Sequence, residues 1–335
     1  MKFEAVPFAE LNWDELDAFE DRTFCQRRAW LEFIRETQRG EIVVARLVDG
    51  GRTVGWFSGV VVHRLGVPIM GSPFPGWTTP YLGFNLSPGV ARSDAVRALL
   101  PFVFQQLGCL HLELADPRLA RTDVAAMGFD VGVGTTFVSD LRGDDDVLLS
   151  RMESSTRRAI RKAAKSGVRI EVAEPDGFAG DYYAHLVDVF AKQALRPTYS
   201  RERVEALIRY VHPSGDLLLL RALDPAGRSI ATGLFPGYGQ MSYFWGNGSL
   251  RESQILRPNE AIHWAAMRHW RELGVQIHNW GGGGDYKRKY GGEPIETLHF
   301  RLSRFRAIGV VRDLARTAYY LPRMIKRRRH MNRIG

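Results

Sequence analysis

Arg46-Leu47-Val48-Asp49-Gly50-Gly51-Arg52-Thr53-Val54-Gly55 decides how this chain is read, because its pattern returns as Arg221-Ala222-Leu223-Asp224-Pro225-Ala226-Gly227-Arg228-Ser229-Ile230-Ala231. Each copy is a strand, a turn built on Asp and Gly, then a strand opened by Arg, a hydroxyl residue and a β-branched residue. That is the signature of a β-hairpin. The order continues outward from both hairpins. Ser93-Asp94 caps a helix burying Val96, Leu99, Leu100, Val103 and Leu107, and Gly108 ends it before a strand beginning at Cys109. Later, Arg257-Pro258-Asn259-Glu260 opens a helix burying Ile262, Ala266, His269 or Trp270, and Leu273, and Gly274 ends it before a strand over Val275–Trp280. Two hairpins and two helix-glycine-strand units in one order imply a duplicated α/β (mixed α+β) domain, each copy a mixed sheet flanked by helices.

The remaining pattern fits that frame. A helical turn is expected at Trp13–Leu16, a helix over Arg28–Gln38, strands over Glu41–Val48 and Thr53–Val62, and a further helix to Met127 before a strand over Phe129–Leu141. A Pro/Gly/aromatic loop over Gly71–Tyr81 is placed to wall a pocket. Asp144-Asp145-Asp146 marks the boundary, giving domains 1–145 and 146–309 and a basic tail 310–335. At 335 residues, 45% apolar and 25% charged, the chain suits two soluble domains rather than a disordered one. No apolar run reaches the roughly 18–20 residues that cross a bilayer, and no leader stands at the N-terminus, so the expected location is cytoplasmic. Cys25 and Cys109 stand apart, and the nine histidines show no ligand spacing, so no metal is expected.

Charge and glycine point to the chemistry. Lys+Arg of 46 against Asp+Glu of 37 gives +9, concentrated in two blocks. In a helix over 155–166, which Ser155 or Thr156 would cap and Gly167 would stop, Arg157, Arg158, Arg161, Lys162 and Lys165 fall within an arc of about 140°. No acid interleaves them, and their mutual repulsion favours a bound polyanion over a solvated face. The second block, Arg323, Lys326, Arg327, Arg328, Arg329 and Arg333, follows an amphipathic stretch from Val310. It suits anionic lipid at the inner face of the membrane, or tRNA phosphates, or a free basic tail. Met241–Asn247 reads as one strand with Tyr243 and Trp245 on one face, and Gly281-Gly282-Gly283-Gly284-Asp285-Tyr286-Lys287-Arg288-Lys289-Tyr290-Gly291-Gly292 follows the last short strand. Four bare glycines let another backbone or a phosphate approach closely, and the cationic aromatic segment behind them is the first place to look for a site; a flexible surface loop is the plainer reading.

Three stretches carry a resemblance. Ser155–Val168 resembles the basic helix that opens the second domain of Fem-type (FemABX) peptidyltransferases. Trp280-Gly281-Gly282 with Tyr286-Lys287-Arg288-Lys289-Tyr290-Gly291-Gly292 resembles that family's Gly-Gly … Phe-Lys-x-x-Phe-Gly ending, with tyrosine at both phenylalanines. Phe24-Cys25-Gln26 with Trp30 is similar to its Gln-x-x-x-Trp segment. The wider group includes acyltransferases of exopolysaccharide clusters, which this chain resembles more than the peptidoglycan enzymes. The long coiled-coil insertion of some members is missing, as is the Arg/Gln-x-x-Gly-x-Gly/Ala run that cradles the pyrophosphate of acetyl-CoA.

The resemblance implies two tandem GNAT-like domains and an acyl- or aminoacyltransferase of peptidoglycan or exopolysaccharide biosynthesis. It implies no resident cofactor, an aminoacyl-tRNA or acyl-CoA donor, and a phosphorylated or lipid-linked saccharide as acceptor. Lys287 falls on the motif lysine and would stabilise the oxyanion or clamp a phosphate, and Arg196 or Arg201 would hold the acceptor's phosphate. Asp285 is the nearest carboxylate and would orient the amine, unless it only forms a turn. Tyr243, Trp245 and Trp280 either pack on substrate or belong to a core; Tyr286, Gln26, Trp30 and Tyr81 complete the expected binding set. An acetyl-CoA-dependent N-acetyltransferase of an amino sugar and a nonenzymatic RNA- or lipid-binding protein are the other readings.

Overall fold

The computed structural model describes residues 1–76, 78–191, 195–309 and 312. The basic tail from Arg323 to Arg333 lies outside them. The first half comprises β1 (Lys2–Val6), α1 (Trp13–Asp17), α2 (Arg28–Gln38), β2 (Glu41–Asp49), β3 (Arg52–Arg64), β4 (Val67–Ser72), β5 (Gly83–Leu86), α3 (Arg92–Pro101), β6 (His111–Leu114) and β7 (Asp130–Asp140). The second comprises α4 (Asp145–Arg151), α5 (Ser154–Lys165), β8 (Arg169–Val172), α6 (Phe178–Ala191), α7 (Arg201–Val211), β9 (Leu217–Leu223), β10 (Ser229–Tyr238), β11 (Met241–Tyr243), β12 (Gly246–Ser249), α8 (Pro258–Glu272), β13 (Ile277–Asn279) and β14 (Glu293–Ser303).

The internal repeat is visible in how the strands pair. The hairpins β2–β3 and β9–β10 are antiparallel, and each carries a bulge beside its turn, at Leu47/Val48 and at Ser229/Ala231. Past each hairpin comes one parallel pair, β4 with β6 and β11 with β13. A parallel pair needs a crossover, which α3 supplies in one half and α8 in the other. The two halves join in one sheet of order β1-β2-β3-β4-β6-β14-β7-β13-β11-β10-β9-β8, with β5 on β3 and β12 on β10.

The middle of that order is not the order of the chain. β7 is the seam: one edge pairs with β14 along residues 130–138, and its last residues pair with β13 through Val138, Ser139 and Asp140. β14, the last strand among the described residues, returns to the first half and fills the place between β6 and β7. Its Phe300 is fully buried in the core under β1–β4 and α3. A second core gathers between the C-terminal sheet and α5 and α8. A third joins the halves, packing Phe24, Trp30 and Phe33 beside α2 against Tyr182, Leu207 and Trp245, and Arg27 reaches Asp216 across this junction at 3.0 Å.

Several local expectations need correction. The strand expected over Met241–Asn247 is broken, because the Phe244 amide turns to Asn279 O (2.8 Å) and the Trp245 amide to Leu234 O (3.1 Å). The helix expected to end at Met127 is only a 3-10 turn over Arg121–Val124. The residue before α5 is Glu153, with no side-chain capping bond, rather than Ser155 or Thr156. Its C-terminus closes on Gly167 (φ 74°), with Gly167 N bonded to Ala164 O and Val168 N to Ala163 O, both 3.1 Å.

Phe300→Ala should cost roughly 3–5 kcal/mol, as large-to-small changes in a packed core do. Because β14 follows the second half in the chain yet lies in the first half's sheet and core, the halves should unfold in one denaturant transition by fluorescence and circular dichroism alike; two separated transitions would contradict this arrangement.

Candidate active site at the end of the second parallel pair

β11 and β13 stay paired through Tyr243 and Asn279, after which the strands part. Asn279 holds this point together. Its Oδ1 accepts from Thr136 Oγ1 on β7 (2.8 Å) and from the Gly281 amide (2.9 Å), and its Nδ2 donates to the Tyr81 hydroxyl (3.3 Å) from the first half. Gly281 then turns left-handed (φ 67°), and a Cβ there would lie 2.6 Å from the Tyr243 hydroxyl, so both the conformation and the contact require glycine.

Lys287 sits under the glycine run on a 3-10 turn over Asp285–Tyr290. Its side chain reaches back, and Nζ donates to the carbonyls of Trp280 (2.7 Å), Gly281 (2.8 Å) and Gly282. An ammonium has three donors, and all are occupied. The residue is 5% exposed, and burial pushes its pKa down to about 8, while the three carbonyl dipoles favour the charged form. Lys287 therefore presents no free proton to an oxyanion or phosphate here, which corrects the direct role expected for it.

Beneath the run lies an aromatic layer. Trp280 is buried, stacks on Tyr290 (4.7 Å, 19°) and donates from Nε1 to Ser139 Oγ (2.8 Å). It is a core residue and not a substrate contact. His263 packs 5.0 Å from both rings, and His278 Nδ1 meets Ser242 Oγ at 2.9 Å. His263 Nδ1 and His278 Nε2 have no partner among the described residues. Burial, foremost, pushes both imidazoles down, His278 to about 3 and His263 well below the usual range, so both are neutral.

Tyr243, at the end of the β11–β13 pairing, is half-buried against Phe24 (6.0 Å). Trp245 is buried against Tyr199 (4.8 Å), whose hydroxyl meets that of Tyr182 at 2.7 Å. Tyr199 and Tyr182 were not expected here. Their signal was Gly246-Asn247-Gly248, since a side chain at Gly246 would collide with the Tyr182 hydroxyl and one at Gly248 with the backbone of α6. Asn279 and Thr136 carry no signal of their own, because nothing in sequence marks a buried amide as a junction.

Other expected site residues are placed elsewhere. Gln26 is buried, donating to Leu82 O (2.8 Å) and accepting from Thr23 N (2.9 Å), and Trp30 is buried with Nε1 on Thr79 Oγ1 (3.1 Å). Both support the junction from behind. Asp285 is 91% exposed beside Arg288, and Tyr286 is exposed. Arg201 pairs with Glu205 (2.8 Å) on the first turn of α7, and Arg196 stands exposed on the preceding loop. On α5, Arg158, Arg161, Lys162 and Lys165 face outward as expected, whereas Arg157 turns inward to the carbonyls of Leu149 and Met152.

The outward cations do not stand alone. Arg158 and Lys162 share a cavity of about 310 Å³ with Arg257, Glu260 and Lys289. Arg257 adopts φ 60° just before α8, and Lys289 pairs with Glu260 at 2.9 Å. The turn carrying Lys287 toward the glycines thus carries Lys289 toward the basic helix.

The neutral histidines give a pH dependence with a definite sign. Unfolded imidazoles take up protons near their usual value of 6.5, while His278 resists until about 3. Stability is therefore complete above pH 6.5 and falls as pH drops toward 3, by up to about 1.4 kcal/mol per pH unit for each histidine. Denaturant titrations of wild type and His278→Gln between pH 7 and 4 should show a shallower loss in the variant; equal slopes would count against a buried neutral His278.

Comparisons with known proteins agree with this architecture. Residues 150–289 match the family described as acetyltransferase (GNAT) domain. No curated protein matches the chain. Among solved structures, FemX is similar at TM-score 0.76 and 16% identity, over 93% of this chain and 99% of that one. The C-terminal domain of an Agrobacterium fabrum protein assigned as a lysylphosphatidylglycerol synthetase is similar at TM-score 0.56 and 13% identity, covering 93% and 98%. A tandem GNAT protein from the clavulanic acid biosynthesis pathway is similar at TM-score 0.51 and 15% identity, covering 90% and 98%. Residues 150–289 thus match an acetyltransferase (GNAT) domain, within a chain whose overall fold is similar to that of FemX.

Proposed function

We propose that this protein moves an acyl or aminoacyl group from an activated, phosphate-bearing donor to an amine of a cell-wall or polysaccharide precursor. The observation that carries this reading is the short turn over Asp285–Tyr290, which sends Lys287 into the glycine run and Lys289 into the cationic cavity. Four cations and one carboxylate line that cavity, and it continues into the outward face of α5, a lining that supports binding of a donor's phosphates there. A long polyanion such as aminoacyl-tRNA uses this surface more fully than a compact nucleotide.

Transfer is direct. Burial pushes the Cys109 thiol up to about 11 and the Cys25 thiol higher, so neither supplies a thiolate at neutral pH. The amine attacks the donor carbonyl, which requires the two to be held together and the new oxyanion to be met by fixed donors. The acceptor would enter past Tyr243 and Trp245, with Arg196 or Arg201 on its phosphate. A fold shared with a lysylphosphatidylglycerol synthetase domain, whose name joins an aminoacyl group to a phospholipid, supports a phosphorylated or lipid-linked acceptor. Among the described residues no helix is long and apolar enough to cross a membrane, so contact with a lipid-linked acceptor would be made from the surface.

Incubation with charged tRNA and, separately, with acetyl-CoA separates the readings. Consumption of aminoacyl-tRNA is expected. The double variant Arg158→Glu/Lys162→Glu should raise the donor KM at least tenfold and reduce its salt dependence by a log–log slope of roughly 1–2, as loss of two phosphate contacts does. Consumption of acetyl-CoA instead would make the protein an N-acetyltransferase, and salt-dependent RNA binding without turnover of either donor would make it a binding protein.

A further inference from the structure

We propose that the cavity between α5, α8 and the edge strand β8, with the cations of α5 along its rim, is where the protein docks on an anionic phospholipid bilayer. Its aliphatic side chains and Trp264 enter the acyl region, and Arg161 and Lys165 meet the lipid phosphates. This inference stands apart from the acyl-transfer reading, because the binding it predicts involves neither donor nor acceptor.

The cavity measures about 310 Å³ and is lined by Ile160 and Ala164 from α5, Ile170 and Val172 from β8, and Trp264 and Ala265 from α8. Its polar lining comes from Arg268 and His269. Two local causes leave it open. β8 ends the sheet and pairs with β9 on one side alone, and the alanines of the two helices carry too little side chain to fill the space between them. Alternation along β8 then decides the chemistry of the opening. Glu171 points to the opposite face, where it pairs with Arg221 (3.0 Å), so Ile170 and Val172 face the cavity. Val172 is 63% exposed, Ala164 is exposed, and Ile160, Ile170 and Trp264 are half-buried. An apolar surface that runs across two helices and a strand marks a place where another body is met.

Charge identifies that body. At 3.6 residues per turn, Arg161 and Lys165 lie about 100° and 140° round α5 from Ile160, on the cavity's side of the polar face. Arg158 and Lys162 lie about 160° and 200° round, toward the separate cavity shared with Arg257 and Lys289. The division leaves those two to a donor's phosphates. Arg268 is neutralised by Asp145 (3.0 Å) and Glu272 (3.6 Å). Arg161 and Lys165, by contrast, are exposed and form no salt bridge among the described residues. A cationic rim beside an apolar floor is the pattern of a membrane-surface helix, with lysine and arginine at the phosphates and apolar side chains below them. Tryptophan, with an apolar body and a polar Nε1, suits the boundary between the two layers. RNA would use the cations and leave Val172, Ala164 and Trp264 in water, whereas a bilayer covers both.

The test uses the full-length chain and vesicles of phosphatidylglycerol and phosphatidylcholine. Cys25 and Cys109 are both buried, so Val172→Cys accepts an environment-sensitive fluorophore at one place. On these vesicles the label should shift to shorter wavelength and be quenched by brominated acyl chains. Vesicles of phosphatidylcholine alone and soluble glycerophosphate should leave it unchanged. In sedimentation, Arg161→Glu/Lys165→Glu should weaken vesicle partitioning at least about tenfold, since each cation near an anionic surface contributes roughly fivefold. The charge-conserving Arg161→Lys/Lys165→Arg should partition as wild type does. Vesicle binding with an unshifted label would place the contact on another face. Absence of vesicle binding by wild type, or equal partitioning of the charge-reversal variant, would remove the contact, and a label that responds to RNA but not to vesicles would give this face to RNA. Each of these outcomes overturns the inference. A wild type that consumes neither donor leaves the vesicle readouts unaffected, so the two readings fail separately.

Discussion

Three consecutive carbonyls drawn toward one buried point need a donor there, and a run of glycines has no side chain to provide one. An unpaired buried carbonyl costs on the order of 1–3 kcal/mol, so the loop after β13 could not hold this shape unaided. The Lys287 ammonium supplies all three bonds at once. Its removal from water is costly, and that cost is offset because every proton finds an oxygen. The remaining features of the region follow: glycine at 281 because of Tyr243, aromatic rings beneath because Trp280 begins the run, and a turn from Asp285 to Tyr290 that sends alternate lysines to opposite sides.

The loop is also anchored from the other half. Asn279 ends β13, accepts from Thr136 on the seam strand and donates to Tyr81. A displacement of one half against the other would be felt at the glycine run within a single side chain. The third core, built from Trp30, Phe33, Leu207 and Trp245, resists such displacement over a much larger apolar area. Gln26 and Trp30 belong to this support, which explains how residues of a binding-like motif come to lie out of reach of any ligand.

Much of the architecture was legible because the duplication repeats local signals: two Asp/Gly turns, two helices stopped by glycine, and a basic helix closed by Gly167. Local periodicity reports such elements directly. The strand exchange was not legible: no strand is read from sequence over Glu293–Ser303, and even a clear strand pattern says nothing about its neighbours. The same limit applied at the site. Sequence singled out Lys287 and the glycines, but the direction of an ammonium is set by carbonyls whose orientation depends on φ angles five residues earlier. Trp280 and Arg157 illustrate a further ambiguity, since their residue types suit a ligand surface and a packed interior equally well until neighbours such as Ser139 and Met152 are in place.

The return of β14 between β6 and β7 bears on how the molecule is made. On the ribosome the first half emerges with a gap in its sheet, and the strand that fills it is synthesised some 150 residues after β7 ends. The usual domain-by-domain order of co-translational folding is therefore closed to this chain. Until Phe300 leaves the exit tunnel, the nascent first half carries two unpaired strand edges and an incomplete apolar interior, features that call for a holding chaperone or rapid synthesis of the remainder.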